Sequence, residues 1–296
     1  MRVVSLLPSA TEILFAIGAG EDVVGVTFEC DEPAQARETA RIVSTSTLPE
    51  GLSPTQIDAA VSAKLAAGED LYHLDREAML GLDASLVVTQ DLCAVCAVDV
   101  SEVSEALDYL GCTADVLTTD PHTLQEVWSS IEDIGRASGH VEAAEALAES
   151  LRNRVTTVRR EVDGMQPVGC LVLEWTDPPF APGHWVPEMI EAAGGRSVLG
   201  TTGAKSVRVT WSDVTGSAPE VVVVAPCGFT LPRSTTLAQD LVSAGHLPGD
   251  VPVWAVDANA SFARPGPRLA DGVEALSRVL HPELGVPDPA MATRVR

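Results

Sequence analysis

Short valine-rich apolar runs recur along this chain, each closed by a turn residue and separated from the next by a helical pattern. Such alternation marks strand–helix–strand units around parallel sheets, because a strand covered on both faces is apolar throughout. The candidate strands are Val3–Leu7, Val23–Thr27, Arg41–Ser44, Ser85–Thr89, Ala114–Leu117, Gly169–Glu174, Glu220–Ala225 and Val253–Val256. Ser53-Pro54-Thr55-Gln56 reads as a capping box with proline at the first helical position, opening a helix to about Ala67. Thr123 is placed to cap a helix ending near Gly139, and Val141 to about Gly164 reads as one uninterrupted helix, roughly 35 Å long. The 296 residues therefore suggest an α/β protein of two Rossmann-like lobes, 1–140 and 165–296, joined by a single long helix at 141–164.

Charge narrows the class of partner. Acidic residues number 42 against 19 basic, a formal charge of −23, and such a surface repels phosphate backbones and anionic membranes. Nucleic acid and peripheral lipid are therefore not expected partners. No apolar stretch approaches the ~18 residues of a membrane span, so no insertion is expected. The apolar run after Met1 is short and lacks a small-residue cleavage site, which suggests a first strand rather than a signal peptide. On that reading the protein is cytoplasmic, and its six cysteines are thiols or ligands rather than disulfides.

Four strand-end loops carry the candidate site residues. Pro8 and Ser9 open a helix after the first strand, where free amides attract anionic or amide-bearing ligand groups; on this segment alone an ordinary Ser9 cap with Glu12 as its partner is the favoured reading. Gln90 leads into a loop with Cys93 and Cys96, a Cys-x-x-Cys without the second pair that a structural zinc site needs. Trp175, Phe180, His184 and Trp185 share a proline-stiffened loop from Glu174, a rigid aromatic wall suited to a large planar ligand, and Trp211 would extend it. Phe262 and Arg264 follow the last strand, with Arg264 and Arg268 flanking a Pro-Gly-Pro turn ahead of a helix expected from Gly266. The chain has no Gly-x-x-x-x-Gly-Lys-Ser/Thr, Gly-x-Gly-x-x-Gly or Gly-x-Ser-x-Gly, and its six histidines are scattered singly. No catalytic residue and no metal-ligand set is assigned, and no enzymatic activity is expected.

With these loops in view, the chain resembles the helical-backbone (class III) substrate-binding proteins of ABC importers, particularly the vitamin B12-binding branch. The likeness rests on Arg2-Val-Val-Ser-Leu-Leu-Pro-Ser-Ala-Thr-Glu12, Val24-Gly25-Val26-Thr27 with Asp31-Glu32-Pro33, and Pro178-Pro179-Phe180 followed by Gly194-Gly195. Val209-Thr210-Trp211 and Phe262 with Arg264-Pro-Gly-Pro-Arg268 complete it. The resemblance implies non-catalytic binding of a corrinoid, cobalamin, in a cleft between two lobes, with haem or a ferric siderophore as the alternative tetrapyrrole or chelate. It places Phe180, Trp211 and Phe262–Arg264 at the ligand, and also the loop Phe28–Cys30, where the family's tyrosine is missing. It further implies that Glu102 and Asp213 dock an ABC permease. The chain departs from the family in an extra segment from about Gly51 to Leu82, containing Tyr72 and His73, and in the Cys93/Cys96 loop. Tyr72, His184 and the cysteines leave axial ligation of a haem open. A reading from another class is a cytoplasmic thiol-redox or metallocluster protein using Cys93 and Cys96.

Overall fold

The computed structural model describes residues 1–90 and 113–296. The chain divides into two compact units: Met1–Pro121 with Gln125–Ser150, and His122–Leu124 with Leu151–Arg296.

The first unit is built on a parallel sheet of β1 (Val3–Ser5), β2 (Val23–Val26), β3 (Arg41–Ile42), β6 (Leu86–Gln90) and β7 (Asp115–Thr119) in the order β3-β2-β1-β6-β7. Every residue of β1 and β6 is buried, as expected where helices cover both faces of a sheet. Val4, Leu6, Val43, Leu74, Met79, Leu82 and Val87 pack into one cluster on one side. A Cβ on Gly25 would lie 3.0 Å from a Leu82 methyl and 3.2 Å from one of Val4, so a larger residue there would press on the packed side chains around it. The run expected as one strand from Arg41 to Ser44 instead splits at Val43. Beyond it, β4 (Ser44–Ser46) leaves the sheet and pairs antiparallel with β5 (Tyr72–Leu74) of the extra segment. Helix Pro54–Ala67 between them starts on the expected box, with Gln56 N donating to Ser53 Oγ and Ser53 N to Gln56 Oε1. It stops at Gly68, whose φ of +68° favours a residue without a Cβ.

Helix Leu124–Ser138 is followed by helix Val141–Glu161, 21 residues and about 32 Å long, three residues short of the expected end. The division between the units falls inside this second helix, after Ser150.

The second unit carries β8 (Val168–Leu173), β11 (Gly195–Ser197), β13 (Val221–Val224), β14 (Val253–Val256) and β15 (Ala292–Arg294), ordered β11-β8-β13-β14-β15. The first four are parallel and β15 runs antiparallel to β14. A second, three-stranded antiparallel sheet, β12 (Val207–Arg208), β10 (Pro179–Ala181) and β9 (Trp175–Thr176), grows from the loop after β8. Arg154 fastens the long helix to helix Leu269–Leu280 by a two-pronged ion pair to Glu274, both contacts 2.8 Å, and a further one to Asp271. Helix Leu269–Leu280 begins three residues later than expected, and Arg268 occupies its N-cap position.

Candidate ligand-binding site

In open α/β sheets ligands bind outside the carboxyl ends of the strands, where the strand order reverses. In the second unit that point lies between β8 and β13, and the loops starting at Glu174 and Ala225 border it. The loop after β8 folds into the small sheet, whose register sets Trp175 opposite Phe180 and Phe180 opposite Arg208. Directly opposed residues share a face, so these three side chains stand in a line. Arg208 holds its guanidinium 5.7 Å from the centre of the Phe180 ring. The loop after β13 adds Phe229, stacked on Trp175 with centroids 5.6 Å apart, and Arg233 sits 5.9 Å from the Phe229 ring. The result is a row, Arg208–Phe180–Trp175–Phe229–Arg233, whose rings are half-buried and whose guanidinium-bearing residues are exposed.

Glu174 holds this platform in place. Its carboxylate accepts from Gly183 N (3.3 Å) and from the Ser206 hydroxyl, tying the end of β8 to both segments that flank the small sheet. Burial pushes this carboxyl up to about 7, with the two hydrogen bonds acting in the opposite direction. Gly183 is a contact point: a Cβ there would fall 2.3 Å from Ser206 N.

The other residues expected in this wall take different places. Trp185 is only 4% exposed and donates its indole N–H to the Phe262 carbonyl at 2.8 Å, while Phe262 itself is 2% exposed. Neither offers the open ring expected of it; an indole that finds an internal acceptor packs inward. His184 takes a left-handed backbone (φ +50°), held by His184 N to Ala204 O and Gly203 N to His184 O, and its ring lies 5.6 Å from those of His122 and Trp185. Arg264 is 8% exposed. Trp211, expected to extend the wall, stacks on His246 at 4.4 Å and 7°. His246 follows helix Leu231–Ser243 and Phe229 precedes it, so the two stacked pairs lie at opposite ends of a 13-residue helix about 20 Å long. Asp213 is exposed and completes a capping box with the N-cap Thr210, accepting from Thr210 N (2.8 Å) and Thr210 Oγ1 (2.7 Å); these bonds hold its carboxyl below the usual range.

In the first unit the order reverses between β1 and β6. Pro8 and Ser9 open helix Pro8–Ala16, yet Leu7 holds the cap position and no side chain caps it, so Ser9 is not the cap. Gln90 ends β6, buried, opposite Thr119. Cys30 is fully buried, its sulfur taking the Thr11 hydroxyl at 3.0 Å and lying 3.1 Å from that of Thr27, a core thiol rather than an open ligand. Phe28 is half-buried, and the extra segment brings Tyr72 to it, ring centroids 5.9 Å apart, with the phenol donating to Glu29 Oε2 at 3.1 Å. In the sequence the loop that lacks the family's tyrosine and Tyr72 stand far apart; the β4–β5 pairing joins them. Cys93, Cys96 and Glu102 lie outside the described residues. Arg208, Phe229 and Arg233 were missed altogether. Their one sequence signal, an aromatic and a basic residue just beyond a buried strand, is too common to single out. Among the described residues no group of three or more His, Cys, Asp or Glu is arranged to hold a metal ion, and no helix is long and apolar enough to cross a membrane.

The chain is 25% identical over 276 residues to a vitamin B12-binding protein of Vibrio cholerae, covering 92% of this chain and 86% of that protein. A vitamin B12-binding protein of Yersinia pestis is 26% identical over 274 residues, with coverage of 90% and 82%. Among solved structures, the periplasmic vitamin B12 binding protein of Vibrio cholerae superposes with a TM-score of 0.68 at 23% identity, over 94% of this chain and 96% of that one. A periplasmic heme binding protein from Pseudomonas aeruginosa gives 0.71 at 19% identity, over 98% and 96%. These likenesses bear out the expected class III binding-protein fold. The periplasmic setting of the relatives gives no support to the cytoplasmic location expected from the first residues. The family model for periplasmic binding proteins matches residues 3–244, and the chain belongs to that family.

Proposed function

We propose that this protein binds a corrinoid, cobalamin in the first instance, as a capture protein without catalysis of its own. The observation that carries this reading is the row of Phe180, Trp175 and Phe229 between two guanidiniums at the reversal point of the second sheet. Flat rings held by β-pairing meet a conjugated macrocycle with little loss of side-chain freedom, and arginine forks suit the oxygen-rich groups around its rim. The relatives named vitamin B12-binding proteins support cobalamin over other flat guests. Haem is the second reading, favoured by the Tyr72 phenol beside Phe28, an oxygen of the type that can hold haem iron. As a capture protein it would hand its guest to an ABC permease, with exposed, ionised Asp213 as a docking contact.

The test is titration with hydroxocobalamin and, separately, haemin, followed by visible spectra and tryptophan fluorescence. Saturable binding is expected, weakened by about 1–3 kcal/mol in each of Trp175→Ala and Phe180→Ala. No spectral shift with either guest, or full affinity in both variants, refutes it.

A further inference from the structure

Stretches of the second unit that are far apart in sequence meet at Glu174. Its N–H donates to the Phe180 carbonyl at 3.1 Å and its carbonyl accepts from Cys227 N at 3.0 Å, joining the small sheet to the loop that carries Phe229. Its two carboxyl oxygens divide the remaining contacts: Oε1 accepts from Gly183 N at 3.3 Å, and Oε2 meets the Ser206 hydroxyl. Residues 199–206 form a strap along 182–184, with His184 N donating to Ala204 O at 2.6 Å and Gly203 N to His184 O at 2.9 Å. It fits closely, since a Cβ on Gly200 would fall 2.1 Å from Pro182 O. Past Ser206 the strap runs into β12, whose Arg208 lies opposite Phe180. Trp175, Phe180 and Phe229 are thus each joined to Glu174 by a peptide bond, or by one hydrogen bond and at most two residues of chain.

These contacts suit a neutral acid. An amide N–H can only donate, so Oε1 serves as the carbonyl oxygen. A hydroxyl can also accept, so a proton on Oε2 goes to Ser206 Oγ and both oxygens are satisfied without charge. The titratable groups on the stretches that meet Glu174 are Asp177, His184, Lys205, Arg208 and Cys227. Among the described residues no charged side chain stabilises the ionised form, since the influences on this carboxyl are burial and the two hydrogen bonds. Burial penalises the carboxylate, and admitting water relieves the penalty. Here that means parting Ser206 from the end of β8 and slackening the strap. A flat guest over the rings acts in the opposite sense, because it removes water from the neighbourhood of the carboxyl.

We propose that Glu174 is the positioning residue of the ring row and makes guest capture proton-linked: the neutral acid presents the rings firmly, and its ionisation weakens the hold on the guest. This rests on the macrocycle-binding reading above and adds the control of that site. Binding near neutral pH is then accompanied by uptake of up to one proton from solution onto Oε2.

The experiment measures affinity against pH on the whole protein at constant ionic strength, by tryptophan fluorescence. The guests are cyanocobalamin, whose metal ligands do not titrate in this range, and haemin alongside it. Wild-type affinity is expected to fall about three- to tenfold between about pH 6 and about pH 8.5, the effect of a carboxyl pKa that differs by half to one unit between free and occupied protein. Glu174→Gln mimics the protonated acid, its oxygen accepting from Gly183 N and its amide donating to Ser206 Oγ. It is expected to bind without dependence on pH and, at the alkaline end, more tightly than wild type. Calorimetry in two buffers of different ionisation enthalpy should show proton uptake by wild type and none by the variant. A variant that loses affinity equally at every pH, or a wild-type profile as flat as the variant's, overturns the linkage and leaves macrocycle binding standing. Failure of the wild type to bind either guest at any pH overturns both.

Discussion

Glu174 offers the most direct check on how the platform is held. Its carboxyl is raised from 4.5 to about 7, so the folded protein binds this proton more tightly than the unfolded chain does. Stability from this group is therefore complete below about pH 4.5 and is lost as pH rises through about 7. At 1.36 kcal/mol per unit the shift amounts to about 3 kcal/mol across that window. Glu174→Gln keeps the shape and an oxygen acceptor but cannot ionise. Denaturant unfolding followed by tryptophan fluorescence suits the assay, because Trp175, Trp185, Trp211 and Trp254 belong to the second unit and only Trp128 to the first. Wild-type stability is expected to fall by about 3 kcal/mol more than that of the variant between mildly acidic and mildly alkaline buffer. The comparison cancels the general repulsion of a chain this acidic, which acts on both proteins alike. Parallel pH curves would refute the reasoning and mean that Glu174 ionises freely where it sits.

Three further outcomes follow from the packing. Trp211→Ala, His246→Ala and the double variant should show a coupling of about 0.5–1.5 kcal/mol in unfolding, the worth of an aromatic pair beyond its buried area; strict additivity would deny the stack. Gly272→Ala should lower unfolding stability by about 1–3 kcal/mol, because its Cβ would lie 2.3 Å from the Ser261 carbonyl and 2.7 Å from Met189 Cε; an unchanged melting temperature would contradict that close approach. Alkylation of the native protein, mapped by peptide mass, should mark exposed Cys227 while sparing buried Cys30 and Cys170, the latter a thiol that burial pushes up to about 12. Equal labelling of the three would refute their burial.

The parallel strands, the capping box at Ser53 and the long helix were legible because each is a local pattern: an apolar run, a cap spacing, a helical period. The split at Val43 was not, since β4 departs to meet a partner some 30 residues away in the chain. The site was half legible for the same reason. Trp175 and Phe180 advertise themselves by sharing a stiffened loop, whereas Arg208, Phe229 and Arg233 join them only through cross-strand register and a neighbouring strand's loop. Trp185, Phe262 and Cys30 mislead in the opposite sense. Aromatic or thiol character marks them as candidates, but each finds its partner inside, and a sequence does not say which way a side chain turns.

The last strand has a consequence for handling the molecule. Residues 292–294 lie along β14 through Trp254–Arg294, Ala255–Thr293 and Val256–Ala292, and Arg296 anchors them with Nε on the Val251 carbonyl at 3.0 Å. They act as a selvedge on the cloth: the short run Val253–Val256 keeps its outward amides satisfied only while this border is sewn on. Trimming it would leave an apolar strand with bare hydrogen-bonding groups, the pattern by which sheets of separate molecules find one another. Residues 292–296 thus shield the β14 edge from pairing with another molecule.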